Sequence, residues 1–260
     1  EYGYGYSSNQ SSVGFMVDNY RKPEFGLDVV VDHDRFIVGD TMKATLSGSL
    51  FSGEPLAGKQ VSYTVTAGTY YDYGYYSPEY DDDGYRYGYG YGSPVHEGVA
   101  VLDANGQATI EVTAKSHDRF LPQVYRIEVS STDSAENPVF ESQNVLVMPA
   151  DFSIYRTDYS YGTKQNQEAS IPLILVPNRD GTTVAGKRLE ASVKLRRWIR
   201  EDRPNEKYPY YRQENRTLDP VSVVTDDEGK AVLKFTPPET GDYEFELRGT
   251  DDRGNTTTRS

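Results

Sequence analysis

Two stretches of the chain follow one plan: Gly53-Glu-Pro-Leu-Ala-Gly-Lys-Gln-Val-Ser-Tyr-Thr-Val65 and Gly181-Thr-Thr-Val-Ala-Gly-Lys-Arg-Leu-Glu-Ala-Ser-Val193. Each is a turn, then Ala-Gly-Lys, then a run in which apolar and polar residues alternate. In the first run Val61, Tyr63 and Val65 share one side. Alternation with a period of two is typical of a β-strand that buries one face. The repetition predicts two copies of one β unit.

Two further landmarks repeat in the same order. Asp103-Ala-Asn-Gly106 is matched by Asp226-Asp-Glu-Gly229, and the run from Tyr125 to Asp133 is matched by the run from Tyr243 to Asp251. The three pairs of landmarks are separated by 128, 123 and 118 residues, so only small length changes lie between them. We therefore expect two β domains in tandem, each derived from the same plan.

Composition limits what the chain can do. The 260 residues suit two domains, and the absence of cysteine excludes disulfides, thiolate catalysis, Cys-ligated zinc and Cys-based thioester chemistry within this sequence. The net charge of −13 is uneven, because residues 23–149 hold 7 Lys/Arg against 19 Asp/Glu while 150–260 hold 18 against 19. Such a field repels phosphate backbones, so we expect no nucleic-acid partner. No apolar run approaches the ~20 residues of a membrane helix, so we expect no direct membrane insertion.

Short alternating runs separated by Gly/Asp/Asn turns predict about seven strands in each copy. This pattern indicates an all-β protein made of two tandem immunoglobulin/fibronectin-like antiparallel β-sandwiches. The predicted strands of the first copy are 27–31, 41–51, 58–68, 95–102, 106–114, 123–132 and 139–148. Those of the second are 151–156, 168–176, 187–200, 217–225, 229–236, 242–249 and 255–259.

Composition shifts predict the domain boundaries. Residues 1–22 read as a Tyr/Gly-rich tail followed by a strand remnant of a preceding domain, so we expect the chain to be part of a longer array. Residues 23–149 form the first sandwich, with a Tyr-rich insertion at 70–93, and residues 150–260 form the second, with a charged loop at 201–216.

Two local features predict how strands are joined. Asp103–Gly106 and Asp226–Gly229 place Asp first and Gly where φ is expected to be positive, which is typical of a hairpin turn. Tyr243 opens a strand, where its hydroxyl can anchor a corner between strands as in immunoglobulin-like sandwiches.

Several of these motifs together resemble the bacterial alpha-2-macroglobulin family. The run Phe15-Met-Val-Asp-Asn-Tyr20-Arg-Lys-Pro-Glu-Phe25 is similar to the junction between its consecutive macroglobulin-like domains. Gly39-Asp40 before a strand, Gly53–Gly58 before the next, and Gly241-Asp-Tyr-Glu-Phe245 with the hairpin Asp251-Asp-Arg-Gly254-Asn255 are similar to later elements of the family. The resemblance covers residues 13–260, apart from the insertions.

The resemblance implies a non-catalytic framework role in a broad-range endopeptidase inhibitor of the periplasm or cell surface. Whole family members are protease traps, in which a bait segment is cleaved and a reactive thioester captures the protease. None of the family's reactive positions is present in these 260 residues, so none is carried over, and we expect no enzyme activity and no cofactor. The implied partners are neighbouring domains of the same longer chain, and proteases through the full-length protein.

The Tyr-rich insertion admits three interpretations. It can be a long surface loop, a contact loop in which tyrosine supplies large area at low entropy cost, or a protease-accessible bait. The contact interpretation belongs to the alternative function, a cell-surface adhesin or stalk of immunoglobulin-like repeats. The possible contact residues are Tyr70, Tyr71, Tyr73, Tyr75, Tyr76, Tyr80, Tyr85, Tyr87, Tyr89 and Tyr91.

Other polar clusters predict no chemistry. Asp81-Asp82-Asp83-Gly84 and Asp32-His33-Asp34 lack the spacing of a calcium loop and its distal Glu, so they are interpreted as solvated acidic turns. His33, His96 and His117 fall on separate predicted elements, with no HxxxH pair for zinc. There is no Gly-x-Ser-x-Gly elbow and no phosphate-binding glycine loop, so no catalytic or metal site is predicted.

One basic and aromatic segment remains, Lys194-Leu-Arg-Arg-Trp198-Ile-Arg200. On a strand, Leu195, Arg197 and Ile199 share one face, and Arg196, Trp198 and Arg200 share the other. Alternating Arg and Trp can hold single-stranded nucleic acid, but stacking on an exposed strand or seating against a neighbouring domain is favoured. The reason is that Glu201 and Asp202 follow directly and the second copy is nearly neutral.

Overall fold

Fifteen strands and no helix make up the regular structure of the residues that the computed structural model describes, which are 23–70, 92–116, 120–158, 162–204 and 208–260. The all-β prediction is confirmed. The predicted tail at 1–22 and nearly all of the Tyr-rich insertion lie outside the described residues.

The first eight strands form one sandwich of two sheets. They are β1 (Phe25–Val31), β2 (Arg35–Ile37), β3 (Thr41–Leu50), β4 (Gln60–Thr69), β5 (Ser93–Val101), β6 (Gln107–Thr113), β7 (Gln123–Thr132) and β8 (Pro138–Met148). One sheet has the order β1-β3-β6 and the other β2-β8-β7-β4-β5. The core between them contains Met42, Leu46, Val65, Tyr125 and Ile127, all of them fully buried.

The remaining seven strands form a second sandwich with its own core. They are β9 (Phe152–Arg156), β10 (Ala169–Pro177), β11 (Arg188–Glu201), β12 (Tyr210–Val224), β13 (Lys230–Phe235), β14 (Asp242–Thr250) and β15 (Thr256–Arg259). A three-stranded sheet, β13-β10-β9, faces a four-stranded sheet, β12-β11-β14-β15. Phe152, Leu173, Leu189 and Leu233 fill the space between them.

The predicted charged loop at 201–216 is too long, because residues 210–216 belong to strand β12. β11 runs to Glu201 and β12 begins at Tyr210, and the two strands pair antiparallel from Arg188 onward. The charges that favoured a loop instead face each other across the hairpin, since Arg197 contacts Glu214 and Arg212 contacts Glu201, each at 2.8 Å. Strand β2 was not predicted, because a three-residue strand that pairs in parallel with β8 leaves no alternating run in the sequence.

Four hairpin turns share one hydrogen-bond plan, which explains the repeated Asp landmarks. In each, an Asp Oδ1 accepts backbone N–H groups from the residues two and four positions later, at 2.8–2.9 Å. The fourth residue of each turn has a positive φ. These turns begin at Asp103, Asp133, Asp226 and Asp251, and their fourth residues are Gly106 (φ 73°), Glu136 (63°), Gly229 (77°) and Gly254 (84°).

Two tyrosine hydroxyls hold corners of the sandwiches, as predicted for Tyr243. The Tyr243 hydroxyl donates to the Glu239 carbonyl at 2.8 Å and accepts from the Glu239 N–H at 3.2 Å. Tyr125, its counterpart in the first sandwich, donates to the Lys115 carbonyl at 2.9 Å and accepts from the Lys115 N–H at 3.1 Å. Burial raises the pKa of the Tyr125 phenol, which its bond to Lys115 partly opposes.

We expect Glu136→Gly to stabilise the protein by on the order of 1 kcal/mol, because a left-handed conformation is costly for any residue with a Cβ. Urea unfolding measures the change. Gly254→Ala is the matched control, since a Cβ at Gly254 meets nothing within 4 Å and tests the positive φ alone. It should destabilise by about the same amount, and an unchanged stability in both variants would contradict the argument.

We expect Tyr125→Phe to destabilise by about 1–3 kcal/mol, because it removes the hydroxyl by which a fully buried side chain binds both the N–H and the carbonyl of Lys115. Tyr243→Phe should cost less, since Tyr243 is half-buried and water can replace its hydroxyl. Tyr211→Phe, at an exposed position, serves as the control. Thermal and urea unfolding of the three variants give the ranking; equal losses for Tyr125 and Tyr211 would be incompatible with a structural corner.

Candidate functional site at the junction of the two sandwiches

The predicted Tyr contact loop lies almost wholly outside the described residues. Tyr70 is described: it is half-buried at the end of β4, and its N–H donates to the Pro122 carbonyl at 2.8 Å. Tyr71, Tyr73, Tyr75, Tyr76, Tyr80, Tyr85, Tyr87, Tyr89 and Tyr91 are not described, and their role as contact residues stays a prediction.

The two histidines that the structure describes, His33 and His96, have different neighbours in the fold. His33 contacts the ring of Phe36 edge-on, with centroids 5.9 Å apart, whereas His96 Nε2 lies 3.2 Å from the Tyr63 hydroxyl. Among the described residues, no group of three or more His, Asp or Glu side chains is arranged to hold a metal ion. His117 and the run Asp81–Asp83 lie outside those residues.

The basic segment on β11 is neutralised by carboxylates. Arg197 contacts Glu214 across the hairpin and also Glu239, and Arg216 contacts the other oxygen of Glu239. The hydrogen bond from Arg216 holds the pKa of the Glu239 carboxyl below its usual range. Trp198 lies on the opposite face of β11 and is 59% exposed. A segment whose guanidinium groups are already paired is poorly suited to phosphate backbones.

Among the described residues, buried polar groups cluster elsewhere, at the junction between the two sandwiches. There the turn from β2 to β3 in the first sandwich meets two turns of the second, around Arg179 and Arg253. The turn itself is held by its own sandwich: the Gly39 N–H donates to the Ala114 carbonyl at 2.9 Å, and the Ala114 N–H donates to the Asp40 carbonyl at 2.8 Å. Gly39 has φ of +94°, and a Cβ there would lie 3.2 Å from Arg253, so glycine is required.

Asp40 is the centre of the junction. Its Oδ2 accepts the Ile37 N–H at 2.8 Å, which fixes the carboxylate within its own turn. Arg179 donates to the same oxygen, and Arg253 Nη1 donates to Oδ1 at 3.0 Å. The Asp40 side chain is 19% exposed, so these are charge-assisted bonds in a partly desolvated position. One carboxylate of the first sandwich thus binds two guanidinium groups of the second.

A backbone carbonyl adds to the same contact. Val38 O accepts from Asn255 Nδ2 at 3.2 Å and from Arg253 Nη2 at 3.4 Å. Asn255 and Arg253 both belong to the turn that begins at Asp251, whose carboxylate organises that turn from within. The turn therefore presents its two long side chains in a fixed direction.

The segment that connects the sandwiches is short and held along its length. Only residues 149–151 separate β8 from β9, and Pro149 and Ala150 are buried. The buried side chain of Asn178 donates to the Ala150 carbonyl at 2.9 Å, and its N–H donates to the Asp151 carbonyl at 2.7 Å. The Asp151 N–H in turn donates to Asp251 Oδ2 at 3.0 Å.

Asp151 is the carboxylate of this group whose ionised form is disfavoured. Burial, with the nearby carboxylate of Asp251, raises the pKa of the Asp151 carboxyl, while Arg179 and Arg253 oppose the shift. Its Oδ1 is buried without a hydrogen bond, and the nearest guanidinium nitrogen, Arg253 Nη1, is 3.9 Å away. The junction thus contains more buried negative charge than its hydrogen bonds satisfy.

These groups suit a rigid contact. No nucleophile–base pair lies among the junction residues described above, and their hydrogen bonds hold the two sandwiches, the turns and the connector to one another. Sequence reasoning singled out Gly39-Asp40 and Asp251–Asn255 but did not place them together. It missed Asn178, Arg179 and Asp151 entirely, because nothing in their local sequence indicates that they meet.

We expect Asp151→Asn to raise stability at neutral pH, because the ionised form of Asp151 is disfavoured in the folded state. A carboxyl whose folded pKa is raised gives stability that is fully present below its unfolded pKa and lost as pH rises through the folded value. The gain from the Asn variant should therefore be largest near pH 7 and disappear as the pH falls below about 4. Thermal unfolding from pH 3 to 8 tests this; a gain independent of pH would contradict it.

Comparison of the sequence with known proteins gives relatives of one kind. No family model matches the chain. It is 25% identical over 233 residues to the alpha-2-macroglobulin of Thermotoga maritima, and 20% identical over 248 residues to an alpha-2-macroglobulin homolog of a Nostoc species. These matches cover 90% and 91% of this chain but only 12% of each relative, so the chain spans about an eighth of the length of the curated relatives.

Comparison of the fold with solved structures also finds bacterial alpha-2-macroglobulins. The native form of Escherichia coli alpha-2-macroglobulin superposes with a TM-score of 0.55 at 11% identity, over 93% of this chain and 16% of that one. A Salmonella alpha-2-macroglobulin reacted with methylamine gives the same score at 13% identity, over 93% and 17%. No helix among the described residues is long and apolar enough to cross a membrane. The chain is a relative of a segment of the bacterial alpha-2-macroglobulins, with which it shares the β-sandwich fold of their macroglobulin-like domains.

Proposed function

We propose that the two sandwiches are non-catalytic framework domains of an alpha-2-macroglobulin-like protein that inhibits a broad range of endopeptidases. Their task is to hold neighbouring domains in a defined arrangement, so that cleavage elsewhere in the whole protein leads to one concerted rearrangement. The observation that carries the proposal is the junction, where Asp40 binds Arg179 and Arg253 at once.

The short connector and the hydrogen bonds of the junction favour a rigid arrangement of the two sandwiches. Sandwiches joined by a long Gly/Ser linker would rotate freely, whereas here three residues connect β8 to β9 and the Asn178 side chain holds the carbonyl of one of them. Two side chains of the Asp251 turn, Arg253 and Asn255, also reach Val38 and Asp40. A junction with contacts on both sides of its connector resists bending more than either contact could alone.

The proposal includes the domain boundaries and the setting. The first framework domain extends from 23 to 149 and the second from 150 to 260. The partners are the neighbouring domains of a longer chain, and proteases through the full-length protein. The setting is the bacterial periplasm or cell surface, which agrees with relatives that are bacterial alpha-2-macroglobulins.

The test uses the full-length protein that contains this segment. We expect the wild type to shift to a more compact form on native gels after protease treatment, and to protect large substrates while small chromogenic peptides are still cleaved. The double variant Asp40→Ala with Arg253→Ala should compact less completely and protect large substrates less well. The double variant removes both ion pairs of Asp40, with Arg179 and with Arg253, without changing either hydrophobic core.

The matched control is Lys43→Ala with Glu111→Ala, an ion pair at 3.2 Å on the surface of the first sandwich, with both side chains 60% exposed. Exposed pairs contribute about 0–1 kcal/mol, so this variant should behave as the wild type. Circular dichroism confirms that each variant is folded. If the wild type neither compacts nor protects any large substrate, the proposed inhibitor function is wrong; if junction and control variants are equal, the framework role of the junction is wrong.

A further inference from the structure

Asp151 lies in the connector between the sandwiches, where charged side chains from three turns surround it. They are Asp40 of the β2–β3 turn, Arg179 of the β10–β11 turn, and Asp251 and Arg253 of the β14–β15 turn. With Asp151 ionised, three carboxylates and two guanidinium groups leave an excess of one negative charge. The connector therefore carries a carboxylate into a place where negative charge is already in excess.

The hydrogen bonds of both guanidinium groups go to Asp40 rather than to Asp151. Arg253 Nη1 donates to Asp40 Oδ1 at 3.0 Å, and Arg179 donates to the other oxygen. Asp151 Oδ1 is buried without a hydrogen bond, 3.9 Å from the same Arg253 nitrogen. Because a buried carboxylate without donors has lost hydration that nothing replaces, its neutral form is favoured. The junction as it stands in the structure therefore favours Asp151 with a proton bound.

A cleft beside the junction leaves space for the two sandwiches to move relative to each other. Its volume is about 820 Å³, and its walls are residues 32–36 of the first sandwich and 177–181 of the second. Asp40 and Arg179, which bind each other across the junction, also line it. The two hydrophobic cores are separate clusters on either side. The sandwiches can therefore separate at these turns without exposing either core.

We propose that the junction is a joint controlled by pH. Proton uptake by Asp151 favours the closed arrangement seen in the structure, in which the turns of the two sandwiches touch. Loss of that proton favours an open arrangement, in which water reaches Asp151 and its ionised form is no longer disfavoured. The inference rests on the framework role proposed above, and it names a condition, acid pH, under which the frame stiffens.

The direction of the effect depends on which arrangement binds the proton of Asp151 more tightly. Burial, with the carboxylate of Asp251, raises the pKa of Asp151 in the closed arrangement. In the open arrangement a solvated Asp has its ordinary pKa of about 3.9. The contribution of Asp151 to closure is therefore complete below about pH 4 and is lost as the pH rises through the raised pKa. Because one proton is taken up, the ratio of closed to open molecules falls by at most about tenfold per pH unit.

The absence of cysteine allows the distance between the sandwiches to be measured directly. Ser62→Cys on β4 and Ser222→Cys on β12 place one spin label at an exposed position of each sandwich, and electron–electron resonance gives the distribution of distances between them. We expect one narrow distribution near pH 5 and an added broad population near pH 8, roughly the range in which the raised pKa acts. Asp151→Asn, uncharged at every pH, should keep the narrow distribution throughout. Asp40→Ala with Arg253→Ala supplies the open reference.

Two variants of the labelled chain serve as controls. His33→Gln removes a residue of the same cleft, of a type that ordinarily changes charge between about pH 5 and 8. Asp219→Asn removes an exposed carboxylate of β12 outside the junction. Both should keep the dependence on pH of the wild type. The inference is overturned if the wild-type distribution is the same at both pH values, or if Asp151→Asn keeps the dependence on pH. Neither result bears on the protection of large substrates by the full-length protein, so this inference and the inhibitor function fail separately.

Discussion

Every sheet in this molecule must bury one face against a partner sheet, and that requirement underlies all of its architecture. The chain has no cysteine, and its described residues form no helix, so neither disulfides nor helical packing can substitute for this burial. In the first sandwich the requirement is met fully: Met42, Leu46, Val65 and Tyr125 are buried to 0% exposure. In the second, Phe152, Leu189, Ala191 and Val193 are likewise buried to 0% exposure.

A second constraint acts where the two cores approach each other. The connector of three residues carries backbone groups into a partly buried region, and those groups need partners because a buried unpaired carbonyl or N–H is costly. Asn178 and Asp251 supply them. The same region holds the carboxylates of Asp40, Asp151 and Asp251, and the guanidinium groups of Arg179 and Arg253 offset much of their charge. The result is a joint whose geometry is set by directional bonds.

Local signals in the sequence gave correct predictions where the structure depends on neighbours along the chain. Alternation located thirteen of the fourteen predicted strands to within two residues at both ends, because burial of one face imposes a period of two. The Asp landmarks predicted hairpins, because the Asp carboxylate binds N–H groups only two and four residues ahead. The prediction was wrong at 201–216. There the partners of Arg197 and Arg212 lie across a hairpin, and the composition of a segment does not show such pairing between strands.

By itself, the sequence determined the fold class, the duplication, the turns and the Tyr243 corner, since each rests on contacts within a few residues or on a repeating period. Only the tertiary structure decided that Asp40, Arg179 and Arg253 meet, although they are separated by up to 213 residues. It also decided that Asn178 binds the connector between the sandwiches at Ala150. Both depend on how complete sheets are positioned, and that follows from the packing of entire faces, which no local pattern of residues encodes.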